Sequence, residues 1–127
     1  MFKVNAPAEM NETFARAFNS RAISNLMALY EDDAVLCVAA ERTARGKTEI
    51  AAELRALLQT PGTMISRNNF CIEHGDIALL RADYAIRDAT GTIILSGSSA
   101  EIARRQADGS WLYVVDHATG ASLPRLD

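Results

Sequence analysis

The chain has 127 residues, of which 49% are apolar and 23% are charged, a composition typical of one globular domain over residues 1–127. A formal net charge of −3, without any run of lysine and arginine, argues against nucleic acid as a partner. No apolar run is long enough to span a membrane and the first residues lack a signal peptide, so we expect a cytoplasmic protein without a membrane partner.

The first half of the chain has the apolar spacing of three helices. Pro7 suits a first helical turn, and apolar residues follow it at helical spacing, with Asn11 on the polar side. A second, short helix carries Leu26 and Tyr30 on its apolar face, and a third begins after Gly46 and ends at Pro61. Between the second and third helices, residues 34–39 form a short apolar run, which indicates a buried strand.

The second half of the chain has the pattern of four long strands joined by tight turns. Gly–Asp and Asp–Gly pairs stand between the apolar segments and predict an antiparallel meander. A long antiparallel sheet twists and curls, so three helices on one of its faces would leave an α+β cone with an opening. The predicted strands are residues 63–74, 76–87, 92–106 and 110–118.

Several short motifs, taken in order, resemble those of a known group of proteins. The motifs are residues 14–19, residues 29–34, Gly46 with Ile50, and residues 104–111. With them the chain is similar to the ketosteroid isomerase-like (nuclear transport factor 2-like) superfamily, and within it to the SnoaL-like (DUF4440-type) small proteins. The resemblance implies a cystatin-like α+β barrel: three N-terminal helices packed on a curled, mixed but mainly antiparallel sheet that forms a cone with a pocket. This fold hosts isomerases, cyclases, dehydratases and binding modules.

The steroid isomerases of this superfamily use a base on the first strand and an oxyanion-hole tyrosine on the first helix. The resemblance places these positions on Val38 and Phe14, and a supporting tyrosine of the third helix on Leu54. The oxyanion-hole aspartate falls on Glu101, so one carboxyl group is kept while the base and the tyrosine are lost. Steroid isomerase activity is therefore not expected, because it needs both a base and an oxyanion donor.

Asp116 and His117 are neighbours on the last predicted strand, so only one of them can point into the cone. The same alignment turns Leu80 and Tyr84, on an earlier strand, towards the pocket, together with Val114 and Asp116 on the last strand. SnoaL-like cyclases place an acid–base aspartate on a late strand, and this resemblance makes Asp116 a candidate for that role.

Two carboxyl groups in one apolar pocket would repel each other when ionised, so one would keep its proton near neutral pH. We therefore predict Asp116 and Glu101 as a catalytic acid–base pair. The alternatives are a structural hydrogen bond for Asp116 and, for Glu101, solvent or an arginine partner. The predicted substrate-binding residues are Tyr84, Phe14, Val38, Leu54, Leu80 and Val114.

These residues predict a cup that binds a small apolar, carbonyl-bearing molecule. The cup could belong to an isomerase, cyclase or lyase that works by proton transfer and needs no cofactor. A non-catalytic ligand-binding or dimerisation module is the alternative. Two isolated histidines without matching cysteine spacing give no metal signature, and the two cysteines, Cys37 and Cys71, are expected to be free thiols.

Strict alternation along the last strand sends a row of large side chains to the outer face of the sheet. Such a row must be covered by something, and members of this superfamily commonly pair through their outer sheet faces. We therefore predict a homodimer that forms through Trp111, Tyr113, Val115 and His117.

Overall fold

The computed structural model describes residues 2–38 and 42–126, over which the chain forms three α-helices and six strands. A 3-10 helix leads into α1, and none of the helices in these ranges is long and apolar enough to cross a membrane. The helices are the 3-10 helix (Pro7–Glu9), α1 (Met10–Asn19), α2 (Ile23–Met27) and α3 (Gly46–Leu57). The strands are β1 (Tyr30–Val38), β2 (Arg42–Arg45), β3 (Thr63–His74), β4 (Ile77–Arg87), β5 (Ile93–Arg105) and β6 (Trp111–His117).

The strands form one curled, unclosed sheet in the order β2-β1-β6-β5-β4-β3. Neighbouring strands are antiparallel except for β1 and β6, which are parallel, so the sheet is mixed but mainly antiparallel. α1 packs along β3 and α3 along β1, so the two longer helices cover one face of the sheet from opposite sides. The predicted α+β cone is confirmed, and the four predicted long strands differ from those observed by at most one residue at each end.

Two differences from the predicted elements occur around the first strand. β1 begins at Tyr30, which continues the helical spacing of α2 in sequence, but the chain turns there because the ring of Tyr30 is buried beside β6. β2 was not predicted at all. Its four residues are polar apart from Ala44, which alone is buried, so the segment lacks the apolar alternation that marks a strand.

A β-bulge in β6 breaks the alternation on which the predicted dimer face depends. Ile102 of β5 lies opposite Val115 and Ala103 lies opposite Tyr113, so Val114 is the extra residue between them. Tyr113 and Trp111 therefore face inwards, with 1% and 3% of their surfaces exposed, and their prediction as outer-face residues is wrong.

The other two residues of the predicted face do lie outside. Val115 and His117 are half-buried and alternate with Asp116, which faces inwards. Because of the bulge, Tyr113 and Asp116 both face the interior, although strict alternation would put them on opposite faces of the sheet.

Candidate active site

The space between the helices and the inner face of the sheet is not completely filled. A cavity of about 150 Å³ remains there, bordered by α1, α3 and every strand except β2 among the elements described. Its walls are mainly aliphatic and aromatic, with a few polar groups at its base. An apolar cavity of this volume accommodates a single six-membered ring.

Most of the predicted site residues border this cavity, and two of them do not. Leu80 faces inwards beside Glu101, its partner across the sheet, but it is fully buried in the core rather than at the cavity wall. Val114 is displaced by the bulge in β6, which removes it from the alternation that assigned it to the pocket. The predicted residues that border the cavity are Asp116, Glu101, Tyr84, Phe14, Val38 and Leu54.

A pair of carboxyl groups lies at the base of the cavity. Glu101 on β5 and Asp116 on β6 are direct cross-strand partners, so their side chains leave the same face of the sheet with Cβ atoms about 5 Å apart. Only 3% of Glu101 and 8% of Asp116 is exposed. Of the two neighbours Asp116 and His117, it is therefore the aspartate that faces the cavity.

Asp116 is held by a phenol rather than by an arginine or the backbone. The buried Tyr30 Oη donates a hydrogen bond of 2.6 Å to Asp116 Oδ2. Burial raises the pKa of Asp116 to about 6, and the hydrogen bond from Tyr30 acts in the opposite direction because it favours the charged form. The hydrogen bond from Tyr30 thus favours the charged form of Asp116 against the effect of burial.

Glu101 is held by an amide whose own orientation is fixed. Asn11 Nδ2 donates to Glu101 Oε1 at 2.9 Å and to Asn68 Oδ1 at 3.0 Å. Tyr113 Oη donates to Asn11 Oδ1 at 2.6 Å, which sets which end of the amide faces the carboxyl group. Ser99, two residues before Glu101 on the same strand, also hydrogen-bonds the carboxyl group, and both hydrogen bonds favour its charged form.

Burial, and secondly the charge of Asp116, raises the pKa of Glu101 to about 8. The two groups interact as they titrate, and near neutral pH the pair holds a single proton between them. The cavity therefore presents a protonated acid and an ionised base side by side. In chemical terms this arrangement can take a proton from one atom of a ligand while hydrogen-bonding another.

Tyr84 reaches the cavity wall because its partner across the sheet is a glycine. A Cβ atom at Gly97 would lie 2.6 Å from Tyr84 Oη and 2.9 Å from Tyr84 Cζ, closer than atoms can approach. Gly97 thus makes room for the phenol of Tyr84. Burial raises the pKa of Tyr84, so its hydroxyl remains a hydrogen-bond donor at neutral pH.

Three of the groups that shape the site were missed in the sequence. Asn11 was assigned to the polar side of α1, although it lies three residues before Phe14 and so shares the inner face with it. Tyr30 was missed because it continues the helical spacing of α2 in the sequence. Tyr113 was missed because strict alternation, which the bulge in β6 breaks, assigned it to the outer face. Only Asn11 had a usable signal, the helical spacing itself.

The metal-ligating side chains are dispersed. Within residues 2–38 and 42–126, no three side chains of His, Cys, Asp and Glu lie close enough together to hold a metal ion. Cys37 and Cys71 are free thiols, as expected from the sequence.

The chain belongs to the SnoaL-like domain family, whose model matches residues 11–121. Its fold is also that of solved structures described as nuclear transport factor 2-like and ketosteroid isomerase-like. A nuclear transport factor 2-like protein with a cystatin-like fold from Novosphingobium aromaticivorans superposes with a TM-score of 0.72 at 22% identity, covering 87% of this chain and 76% of that one. A ketosteroid isomerase-like protein from Erwinia carotovora has a TM-score of 0.64 at 25% identity, covering 89% and 95%.

A different kind of protein shares the same fold. A putative calcium/calmodulin-dependent protein kinase type II association domain from Thiobacillus denitrificans superposes with a TM-score of 0.77 at 21% identity, covering 91% of this chain and 95% of that one. A comparison with curated protein sequences found no significant match. The relatives therefore establish the family and the fold, and the site must be interpreted from its own residues.

Proposed function

We propose that the cavity binds a small apolar molecule with a carbonyl group and transfers a proton on it, as a cofactor-independent isomerase, cyclase or lyase. The observation that carries this proposal is the buried carboxyl pair, Glu101 and Asp116, in an otherwise apolar cavity. Two carboxyl groups buried side by side lower the stability of the fold, so a functional role would account for their presence. Strongly shifted pKa values also concentrate at functional sites.

The two groups would take different roles in the reaction. Asp116 removes a proton from the carbon next to the carbonyl group, so the C–H bond breaks and its electrons move into the enolate. Glu101 donates its proton as a hydrogen bond to the carbonyl oxygen, where negative charge develops. Asp116 then returns the proton to the same or a neighbouring carbon. Tyr84 would donate a second hydrogen bond, and Phe14, Val38 and Leu54 would contact the apolar body of the substrate.

The test is deuterium exchange at the α-carbons of cyclohexanone, a single-ring ketone that matches the cavity volume, followed by NMR in deuterium oxide. We expect exchange faster than in buffer, abolished by Asp116→Asn and strongly reduced by Glu101→Gln. Asp33→Asn removes one carboxylate from an exposed part of β1 and should leave the rate unchanged. Exchange at the buffer rate with the native protein would contradict catalysis on this substrate class.

A non-catalytic ligand-binding role is the second candidate. It is favoured by Val38 and Phe14, which are apolar at the positions where the resemblance to the steroid isomerases implies a base and an oxyanion donor. The same experiment separates the two roles. Cyclohexanone that shifts the NMR signals of cavity residues, but exchanges no faster than in buffer, would support binding alone.

We also propose that the protein is a homodimer formed through the outer face of its sheet. One row of aliphatic side chains crosses five strands in register on this face. Within the row, 57% of Ile72 and 46% of Leu79 is exposed, which is unfavourable for an isolated chain. The row consists of Ile72, Leu79, Ile102, Val115 and Val35.

The cytoplasm is the location that we propose. Cys37 faces outwards beside His117, whereas Cys71 faces inwards beside Leu80, so the two thiols lie on opposite faces of the sheet. Free thiols are typical of a reducing compartment, which supports this location.

A further inference from the structure

The charges that border the cavity are all of one sign. Glu101 and Asp116 lie at its base and Glu53 of α3 at its side, whereas none of its described wall residues is lysine, arginine or histidine. Arg42 pairs with Glu53 at 3.0 Å, but its side chain is 67% exposed and belongs to the solvent side. A ligand beside Glu101 and Asp116 therefore experiences a negative potential, because Arg42 offsets the charge of Glu53 alone.

Aromatic rings complete the walls around the carboxyl pair. The ring centroids of Tyr30 and Tyr113 lie 5.1 Å apart, and Phe14 packs edge-on against Tyr113 at 6.2 Å. Tyr84 borders the same space. The faces of such rings carry partial negative charge and attract cations.

Each carboxyl group also keeps sites that can accept a hydrogen bond from a ligand. Tyr30 donates to Oδ2 of Asp116, and Asn11 and Ser99 donate to Glu101, whereas an ionised carboxylate has about four acceptor sites. An ammonium group has three donors and no acceptor, and it can bond both carboxyl groups at once. A carboxylate of the same size would instead add a further negative charge beside the one that the pair already carries.

We propose that the cavity also binds a protonated amine with a single apolar ring, held by its ammonium group between Glu101 and Asp116, and that it rejects a carboxylate of the same shape. This ligand class differs from the carbonyl compounds of the proposed function. It shares with that function only the requirement that the cavity admit ligands.

Binding of the ammonium requires Glu101 to give up its proton. The pKa of Asp116, about 6, lies below neutral pH, so this group has little proton left to release. Burial raises the pKa of the other groups nearby, which therefore keep their protons: Tyr30, Tyr84, Tyr113 and Cys71. The α1 residue that faces Glu101 is the uncharged Asn11. The titratable groups around Glu101 are Asp116 and Tyr113 of β6, Tyr30 of β1, Tyr84 of β4, Cys71 of β3 and Glu53 of α3.

The experiment compares three probes that share one ring: benzylamine, benzyl alcohol and benzoate. Isothermal titration calorimetry at about pH 7, in two buffers of different ionisation enthalpy, gives both the affinity and the number of protons released. We expect benzylamine to bind at least about tenfold more tightly than benzoate, and to release up to about one proton per site. Benzyl alcohol should release none.

Two variants remove the charges without changing the shape of the cavity. Glu101→Gln should abolish proton release, and Asp116→Asn should reduce the preference for benzylamine over benzyl alcohol. Asp33→Asn removes an exposed carboxylate and should preserve both. If either cavity variant fails to fold, the three probes and the proton count on the native protein still decide.

The outcomes separate this inference from the proposed function. Benzoate binding as tightly as benzylamine, or benzylamine binding without proton release, would overturn the inference. Binding of benzyl alcohol alone would overturn it while leaving a neutral-ligand function intact. Failure of all three probes to bind would contradict both.

Discussion

Glu101 and Asp116 face each other across neighbouring strands, nearly excluded from solvent, and their hydrogen-bond partners are uncharged. At the scale of single residues, such a pair lowers stability, because each ionised form must give up its hydration without a cation in compensation. Tyr30 and Asn11 offset part of this cost by donating to one oxygen of each group. The part of the desolvation free energy that is not offset raises the pKa of both carboxyl groups.

The first prediction concerns how stability depends on pH. The pKa of Glu101 is about 8 in the folded chain and near the ordinary value of 4.5 when unfolded, so the folded form binds the proton more tightly. This contribution is fully present below 4.5 and is lost as pH rises towards 8. Glu101→Gln stays neutral throughout. From about pH 5 to about pH 9, the native protein should lose about 2 kcal/mol or more relative to the variant.

Urea unfolding at a series of pH values measures this difference. Asp33→Asn is the control, since it removes a carboxylate that is exposed on β1. Parallel curves for the native protein and Glu101→Gln would show that Glu101 ionises as freely in the folded chain as in the unfolded one.

At the scale of elements, the pairing of β4 with β5 determines whether Tyr84 can reach the cavity. In a strand, replacing glycine by alanine usually stabilises by about 0.5–1 kcal/mol. Here a Cβ at Gly97 would collide with the phenol of Tyr84. We therefore expect Gly97→Ala to destabilise by about 1–3 kcal/mol.

The cause can be isolated with a double-mutant cycle. In a Tyr84→Ala background, Gly97→Ala should have little effect, because the colliding ring is gone. Ser96→Ala is the control: it introduces alanine at an exposed position of the same strand without adding a side-chain atom, so it should not destabilise the protein in this way. An equal destabilisation by Gly97→Ala in both backgrounds would mean that the ring is not responsible.

The long strands were predictable because turn signals separate their apolar segments: Gly75–Asp76, the segment from Asp88 to Gly91, and Asp108–Gly109. The bulge in β6 was not, since Leu112 to Val115 is a continuous apolar run in which no residue marks the change of face. The alignment with the resemblance put Asp116, Glu101 and Val114 at the pocket; the two carboxyl residues border the cavity, whereas the bulge displaces Val114. The hydrogen bonds from Tyr30 and Tyr113 depend on tertiary packing that a sequence pattern does not encode.

At the scale of the whole molecule, strand order explains why the site lies where it does. β5 and β6 occupy the middle of the sheet, and α1 and α3 cover that face from its two sides. The central strands therefore hold the carboxyl pair on the face of the sheet that both helices cover. The opposite face of the same strands carries the aliphatic row that we propose as the dimer interface.

A single charge in that row should prevent dimer formation. Leu79→Arg places a cation where the partner's aliphatic row would pack, so we expect a protein of half the native mass by light scattering. Leu123→Arg, at an exposed leucine of the C-terminal segment, is the matched control and should keep the native mass. A native protein that is already monomeric, or a Leu79→Arg variant of unchanged dimeric mass, would contradict the proposed interface.

The most direct test of the carboxyl pair is an NMR titration of the carboxyl carbons of Glu101 and Asp116. The structure predicts that Glu101 titrates at about 8 and Asp116 at about 6. Asp116→Asn should lower the pKa of Glu101, because it removes the neighbouring charge while burial remains. If both groups instead titrate as ordinary exposed carboxyls, and Asp116→Asn leaves Glu101 unchanged, the site does not hold the shared proton on which its proposed chemistry depends.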